Sequence, residues 1–535
     1  MLRRFKLLIL SLSSAILLSA AWYWHLSILI FFAFVPLLIL EDVLTSNKVP
    51  SNSKLLGYVY LCFSIWNSLV TWWIYYASFG GACMAIIANS LLMSIVFFIF
   101  SYIKNKISKT WGIWILVPIW AAWEYGHTLW DLSWSWINIG NVFSFNHYWI
   151  QWYEYTGASG GTIWTLAVNI LIFITVKQNR VTKILSLPIF KIAISILLPI
   201  LLSYLILLFR RPLKLYKENI TNVVVIQPNI DPYNVKFSLD YQSQFFKTLD
   251  LLKNKITNKT DYLVLPETFI TDNLDESNIN NSTPIKWFRD SIISKFPKLK
   301  IITGGNSYVL YDNKKYITAT ARLDNESGKY YDVFNSGFFI DSVQVKIYHK
   351  SKLVPGVERM PFPALLKPLE KLAIDLGGTI GSIGTQEARS VFNDSINKVY
   401  IAPIICYESI YADYVTEFIR LGANLIFIIT NDGWWEDTPG HKQHLNYARL
   451  RAIENRRQIA RSANTGISCF IDEFGNIEQP TPWWKESVIS KSMSKNKELT
   501  FFSRYGDILS YCSVLISLIL ILYFFFIKLR FIFLK

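Results

Sequence analysis

The chain has 535 residues, 52% of them hydrophobic, and a formal net charge of +15; it is too long for one ordinary core. Its mean hydropathy of +0.29 is high for a soluble protein, and its 20 Trp, 29 Tyr and 36 Phe suit long membrane–water boundaries. The positive charge does not point to nucleic acid: basic residues flank apolar segments, and there is no zinc-ligand spacing, RNA-binding signature or basic DNA-binding helix.

In chain order, apolar stretches near 7–23, 24–40, 55–76, 84–103, 111–126, 162–176, 189–209 and 507–527 approach the ~20 residues of a bilayer span. The first follows Arg3, Arg4 and Lys6, lacks a small-residue cleavage site and reads as an uncleaved anchor. With the N-terminus inside, Lys48, Lys54, Lys104, Lys106, Lys109, Lys177, Arg180, Lys183, Lys528, Arg530 and Lys535 all fall inside. Short outside connections such as "ASFGGA" at 77–82 have almost no Lys or Arg, as the positive-inside rule requires; Arg210 and Arg211 are a mild exception. The reading is a membrane domain over 1–209 with seven spans, an extracytoplasmic domain over 210–506, and a last span with a short cytoplasmic tail over 507–535.

Segment 210–506 has a different texture. "TNVVVIQPN" (221–229), "DYLVLPET" (261–268), "KLKIITGGNS" (298–307), "VYIAPIICYE" (399–408) and "ANLIFIITND" (423–432) are short β-branched runs ending in polar clusters, as expected of strands buried on both faces. Helical patterns at 237–255, 410–421 and 442–457 alternate with them, which predicts an α/β domain with a covered sheet.

Three strand ends carry reactive groups, the second in "IYHKSKLVPGVE". Glu267 follows one strand, Lys350 another (with Glu358 further on) and Cys406 a third, and sites in α/β sheets gather beyond strand carboxyl ends. A carboxylate can take the thiol proton; a lysine cation favours thiolate and stabilises an oxyanion; the Tyr407 N–H is a second candidate oxyanion donor. Such a set performs acyl transfer through a thioester. Taken singly, each has a plainer reading. Free cysteines are usually buried filler, Glu267 can cap a helix, and Lys350 sits among Lys346, His349 and Lys352 as in a solvated cluster. The joint order favours the site. The five cysteines, Cys62, Cys83, Cys406, Cys469 and Cys512, show no close pair or metal spacing; Cys469 reads as strand core, and sequence leaves a Cys406–Cys469 disulfide open.

The order of "LPE", "YHKSKL" and "CYE" resembles the nitrilase superfamily, which implies an αββα sandwich. Such a domain between a membrane bundle and a final span resembles the apolipoprotein N-acyltransferase family, together with "VVVIQPNIDP" (223–232), "TNDGWWEDTPGHKQH" (430–444), "ARLRAIENRR" and "RSANTGIS". The resemblance implies Glu267 as base, Lys350 as electrostatic stabiliser and Cys406 as nucleophile. Glu358, Tyr407 and Glu408 would support the site. The family's Trp in the loop after the first strand is Phe237 here, its Phe-Gly-Glu is Gly356-Val357-Glu358, and its His two positions after the site lysine is Lys352. Trp434, in "GWWEDTPG" (433–440), and the aromatic connection 127–161 are candidates for lining an acyl-chain route, against an ordinary aromatic core or belt.

The implied reaction has a phospholipid acyl donor and a diacylglyceryl-modified lipoprotein acceptor, with no metal or cofactor. The implied setting is the bacterial inner membrane with the catalytic domain in the periplasm; a monomer is expected, although the sequence does not decide the oligomeric state. Two rivals stand beside it. One is a membrane-tethered nitrilase-like amidase with the same triad. The other is a non-enzymatic receptor or transporter, for which the spans carry few ionisable residues, Glu124 being the main one.

Overall fold

The computed structural model describes residues 2–46, 51–108, 111–178, 187–210, 220–236, 238–313, 315, 317–362 and 382–533, with backbone alone at 525 and 527–533. Phe237, Lys48, Lys109, Arg180, Lys183, Arg211 and Lys535 lie outside the described residues, as do the side chains of Lys528 and Arg530. The chain divides into two compact units, one of Met1–Trp72, Ala82–Arg210 and Tyr505–Lys535, the other of Trp73–Gly81 and Arg211–Arg504.

In the first unit, five helices are long and apolar enough to cross a membrane: Leu2–Tyr23, Ser27–Thr45, Phe79–Ile107, Tyr153–Lys177 and Leu187–Phe209. The other apolar stretches form Asn52–Thr71, the shorter Leu116–Gly126, and Ile508–Phe533. The buried carboxylates Glu41 and Glu124 of this unit are paired, as a medium without water demands. Glu41 accepts from Ser101 Oγ at 2.6 Å and Asn105 Nδ2 at 3.2 Å, and forms an ion pair with Lys104. Glu124 accepts from the Ile139 N–H at 2.7 Å, Thr162 Oγ1 at 2.6 Å and Trp120 Nε1 at 3.1 Å, which makes it a packing group. Part of connection 127–161 winds into a 3-10 helix, Ile139–Trp149, within this unit.

The apolar stretch at 55–76 ends as a helix at Thr71, short of the sequence reading. Trp73–Gly81 packs with the second unit instead: the Trp73 ring meets Trp435 edge-on, centroids 4.9 Å apart. It also lies flat against Gly440, where a Cβ would fall 2.6 Å from the indole.

The second unit is built on fourteen strands among its described residues: β1 (Ile220–Gln227), β2 (Tyr262–Val264), β3 (Ile270–Asp275), β4 (Lys300–Tyr311), β5 (Arg322–Leu323), β6 (Tyr330–Ile340), β7 (Val345–His349), β8 (Phe392–Asp394), β9 (Val399–Ile405), β10 (Leu425–Thr430), β11 (Ile459–Ala463), β12 (Cys469–Ile471), β13 (Ile477–Glu478) and β14 (Ser487–Ser494). One sheet runs β14-β1-β2-β4-β6-β5, with β3 added on β4 and β7 on β6; the other runs β13-β12-β11-β10-β9-β8. β1, β2 and β4 are parallel, as are β9, β10 and β11. The continuous β-branched runs of the sequence are these central strands.

The sheets face one another. Ser462 Oγ donates to the Ile226 carbonyl at 2.8 Å, Tyr262 packs edge-on to Phe427, and its hydroxyl reaches Asp394 at 2.5 Å. Helices Tyr241–Leu252 and Thr283–Phe288 supply Tyr241, Phe245, Ile285 and Phe288 to the outer face of the first sheet. Helices Ala412–Arg420 and Pro439–Asn455 belong to the second sheet's side. The result is an αββα sandwich. Capping chemistry sets the helix starts: Asp240 accepts from the Ser243 N–H at 2.8 Å, so the helix expected from 237 begins at Tyr241. Thr438 caps a helix with Pro439 in its first turn, three residues before the expected start.

Candidate active site

All three reactive side chains stand beyond strand ends on one edge of the sandwich. β2 stops at Val264, and Pro266 then forces the turn that carries Glu267. Lys350 is the first residue after β7, its N–H bonded to the Asn335 carbonyl on β6 at 2.8 Å. Lys350 Nζ lies 3.0 Å from Glu267 Oε1 and 2.8 Å from Glu358 Oε1. Asn335 Nδ2 ties the carboxylates together, 2.9 Å from Glu267 and 3.2 Å from Glu358. With 1% of its side chain exposed, Lys350 is no member of a solvated cluster. Its neighbours disperse: His349 stacks on Phe334, and Lys352 covers the Tyr411 ring.

Cys406 directly follows β9 with a left-handed backbone, φ 49°, and starts the short 3-10 helix Cys406–Ile410. A non-glycine residue adopts that conformation at a cost, and it recurs where a nucleophile must stand clear of a sheet. The thiol feels Glu267, Lys350 and Asp432 electrostatically and meets the Thr430 hydroxyl. Burial, then the Glu267 carboxylate, push the thiol up from its ordinary value, against the pull of Lys350. Burial alone would raise Glu267, but Lys350, Asn335 and Lys236 outweigh it and hold the carboxyl below its usual range. Burial disfavours the Lys350 cation, yet Glu267, Glu358 and Cys406 together hold it well above the ordinary lysine value. At neutral pH the resting site is therefore carboxylate, ammonium and protonated thiol, which suits a base-assisted attack.

Glu408 braces both arms of the site. Its Oε1 accepts from the Ser351 N–H at 2.8 Å, next to Lys350, and from Tyr348 and Tyr414. Its Oε2 accepts from the Ile405 N–H at 2.8 Å, next to Cys406. Burial raises this carboxyl despite those bonds. Tyr407 is buried and packs edge-on to Tyr411. Trp434 is half-buried, with Tyr233 edge-on to it and donating to its carbonyl at 2.7 Å. All five cysteines are free thiols, Cys469 buried in β12, so no Cys406–Cys469 disulfide forms.

The sequence reading missed two members. Lys236 is buried, with Nζ 3.0 Å from the Glu267 carbonyl and 2.6 Å from Thr268 Oγ1. Burial pushes its amine down to about 8, with Glu267 and Cys406 pulling it back up. Asn335 sits mid-strand and is legible only through its register. A basic residue closing the loop after β1 is the one local sign of Lys236.

A family model described as carbon-nitrogen hydrolase matches residues 222–497, more than half of the chain. The chain belongs to the carbon-nitrogen hydrolase family. A second model, the apolipoprotein N-acyltransferase N-terminal domain, matches residues 14–171. Curated relatives named apolipoprotein N-acyltransferase include one from Chlorobaculum tepidum, 27% identical over 451 residues, covering 82% of this chain and 82% of its own. One from Rickettsia prowazekii is 29% identical over 434 residues, covering 76% and 75%. The crystal structure of Nit3 from Saccharomyces cerevisiae, a nitrilase superfamily member, covers 52% of this chain and 93% of its own at 15% identity, with a TM-score of 0.36. The two family matches and the relatives make this chain a membrane-bound acyltransferase, with the nitrilase-like architecture seen in its sheets.

Proposed function

We propose that the chain completes lipoprotein maturation: it moves a fatty acyl group from a membrane phospholipid, through a thioester on Cys406, to the N-terminal α-amine of a diacylglyceryl-cysteine in an apolipoprotein. The observation that carries this reading is the convergence of Glu267, Lys350 and Glu358, beyond strand ends of one sheet, with the strained Cys406 turn beyond β9 of the other, where the thiol feels Glu267 and Lys350.

In the first half-reaction Glu267 takes the Sγ proton while sulfur attacks the ester carbonyl. The C–S bond forms, the ester C–O bond breaks, and the leaving lysophospholipid oxygen takes the proton from Glu267. In the second, the amine attacks the thioester carbonyl and gives a proton to Glu267. The C–N bond forms, the C–S bond breaks, and the proton returns to sulfur. Lys350 keeps Glu267 ionised at rest and offsets negative charge on the carbonyl oxygen in both tetrahedral intermediates. Both substrates are lipids, which fits a catalytic unit carried on a membrane unit. The positive-inside pattern supports cytoplasmic termini and a periplasmic catalytic unit in the inner membrane of a bacterium; the protein works as a monomer.

Intact-protein mass spectrometry tests this. Detergent-purified protein given phospholipid should gain a fatty-acyl mass on Cys406 that Cys406→Ala lacks. The adduct should persist in buffer and pass to an added diacylglyceryl lipopeptide. An adduct that clears in buffer alone would instead favour a hydrolase, and no adduct at all would sink the thioester route.

A further inference from the structure

Motif "TNDGWWEDTPGHKQH" holds two residues that the reaction above leaves unused, Asp432 and His444. Both are fully buried. Asp432 follows β10 and His444 lies on helix Pro439–Asn455. His444 Nδ1 is 2.9 Å from Asp432 Oδ1, while Arg461 pairs with Asp432 Oδ2 and Thr430 Oγ1 donates to Oδ1 at 2.7 Å. Burial would raise Asp432, but Arg461 and His444 outweigh it and hold the carboxyl well below its usual range. The other ring nitrogen, Nε2, lies 3.1 Å from the Cys406 carbonyl oxygen and 2.9 Å from Ser409 Oγ. Ser409 Oγ itself donates to the Cys406 carbonyl at 2.8 Å. A proton on Nε2 completes the grip on that carbonyl, while Nδ1 faces Asp432 Oδ1 and lies 3.2 Å from Arg461 Nη2, so the ring is held from both sides.

The gripped carbonyl belongs to the Cys406–Tyr407 peptide. A trans peptide is planar, so its carbonyl and the following N–H point in opposite directions. Holding the Cys406 oxygen therefore aims the Tyr407 N–H, and hydrogen bonds to a carbonyl polarise its peptide and strengthen its N–H as a donor. The left-handed backbone at Cys406 is not self-maintaining, so this peptide plane needs an external hold.

We propose that Asp432 and His444, with Ser409, are positioning residues that set the Cys406–Tyr407 peptide so that the Tyr407 N–H stabilises the oxyanion of acyl transfer. The proposal rests on the reading of Cys406 as the acylated nucleophile. His444 acts through the peptide, without touching substrate.

Two reactions of the same thiol separate this role from a merely structural one. Acylation by phospholipid builds an oxyanion; alkylation by iodoacetamide, a direct displacement at carbon, does not. Full-length protein in detergent is compared as wild type, His444→Leu, His444→Gln and Ser409→Ala, reading both adducts on the Cys406 peptide by mass spectrometry. In His444→Leu, acylation should fall by about 10²-fold, the scale of losing one oxyanion donor, with alkylation unchanged. His444→Gln keeps a donor where Nε2 was and should recover part of the rate. Ser409→Ala should show the same split, more weakly, and carries the test if His444→Leu fails to fold. If acylation and alkylation fall together, or if neither falls, the proposal is overturned while the thioester reading stands. If wild type gives no acyl adduct, both fail.

Discussion

Each unit of this protein buries a lysine against a glutamate, and the two pairs differ in a way that separates a fastening from a reactive centre. In the membrane unit, Lys104, Ser101 and Asn105 all reach Glu41 from successive turns of one helix. One cation meets one carboxylate, and the remaining donors close around it. In the catalytic unit, Lys350 stands between two carboxylates, Glu267 and Glu358, and reaches both from a separate segment. Its third electrostatic partner is a thiol, and the Asn335 Oδ1 atom beside it is buried without a hydrogen-bond partner. A buried pair completed by its own helix has nothing left to do. A pair assembled from strand ends gives up one of its two carboxylate charges when Glu267 takes a proton, and the Lys350 ammonium, still paired with Glu358, then has N–H capacity to offer an anion.

The largest effect should come from removing the carboxylate of the second pair. Glu267→Gln keeps Lys350 paired with Glu358 and should cost about 10²–10⁴-fold in the rate of acyl-Cys406 formation, the scale of a lost general base, with the melting temperature nearly kept. Because the folded protein holds Glu267 below its ordinary value of 4.5, the wild-type rate should persist as pH falls through 4.5 and fade only below it. The sign for stability is the same: the ionised carboxylate's contribution is present above the unfolded value and is lost as pH falls through the folded one. A rate midpoint above 4.5 would count against Glu267 as the base.

Breaking the first pair should do the reverse. Lys104→Met leaves Glu41 buried without its cation and should destabilise the protein by about 3–5 kcal/mol, read as a lower melting temperature in detergent. Molecules that remain folded should still acylate Cys406. Adding Glu41→Gln should restore much of the loss; no restoration would mean that Lys104 acts by packing. Smallest is Tyr348→Phe, which removes one of the donors to buried Glu408 and should cost about 1.5–3 kcal/mol in denaturant unfolding. If acylation falls more than stability does, Glu408 is tuning the nucleophile's turn as well as bracing it.

How much of this was legible in the sequence follows from which interactions are local. The β-branched runs gave away β1, β9 and β10, because burial on both faces leaves a continuous apolar signature. Glu267 and Cys406 were legible because each closes such a run; Lys350 follows the polar, half-buried β7 and was legible only through its order with the other two. Lys236 and Asn335 were not: one gains its meaning by folding back on the Glu267 turn, the other from its place on β6 beside the Lys350 strand end. His444 lies twelve residues from Asp432, and only the meeting of β10 with helix Pro439–Asn455 pairs them. The helix end at Thr71 was hidden because Trp73–Tyr76 are as apolar as a span, although the Trp73 ring meets Trp435 of the catalytic unit.

The placement of Trp73–Gly81 also bears on the order in which the molecule is made. The ribosome delivers these nine residues well before Arg211–Arg504, whose fold they complete. Until Gly440 and Trp435 emerge, Trp73 cannot make these two contacts, and the catalytic unit cannot be completed from its own stretch of chain. Its maturation is thus coupled to prior synthesis of the early helices. A catalytic fragment cut at Arg211 and Arg504 would be born with the Trp73 seat empty, its glycine-floored slot open to solvent.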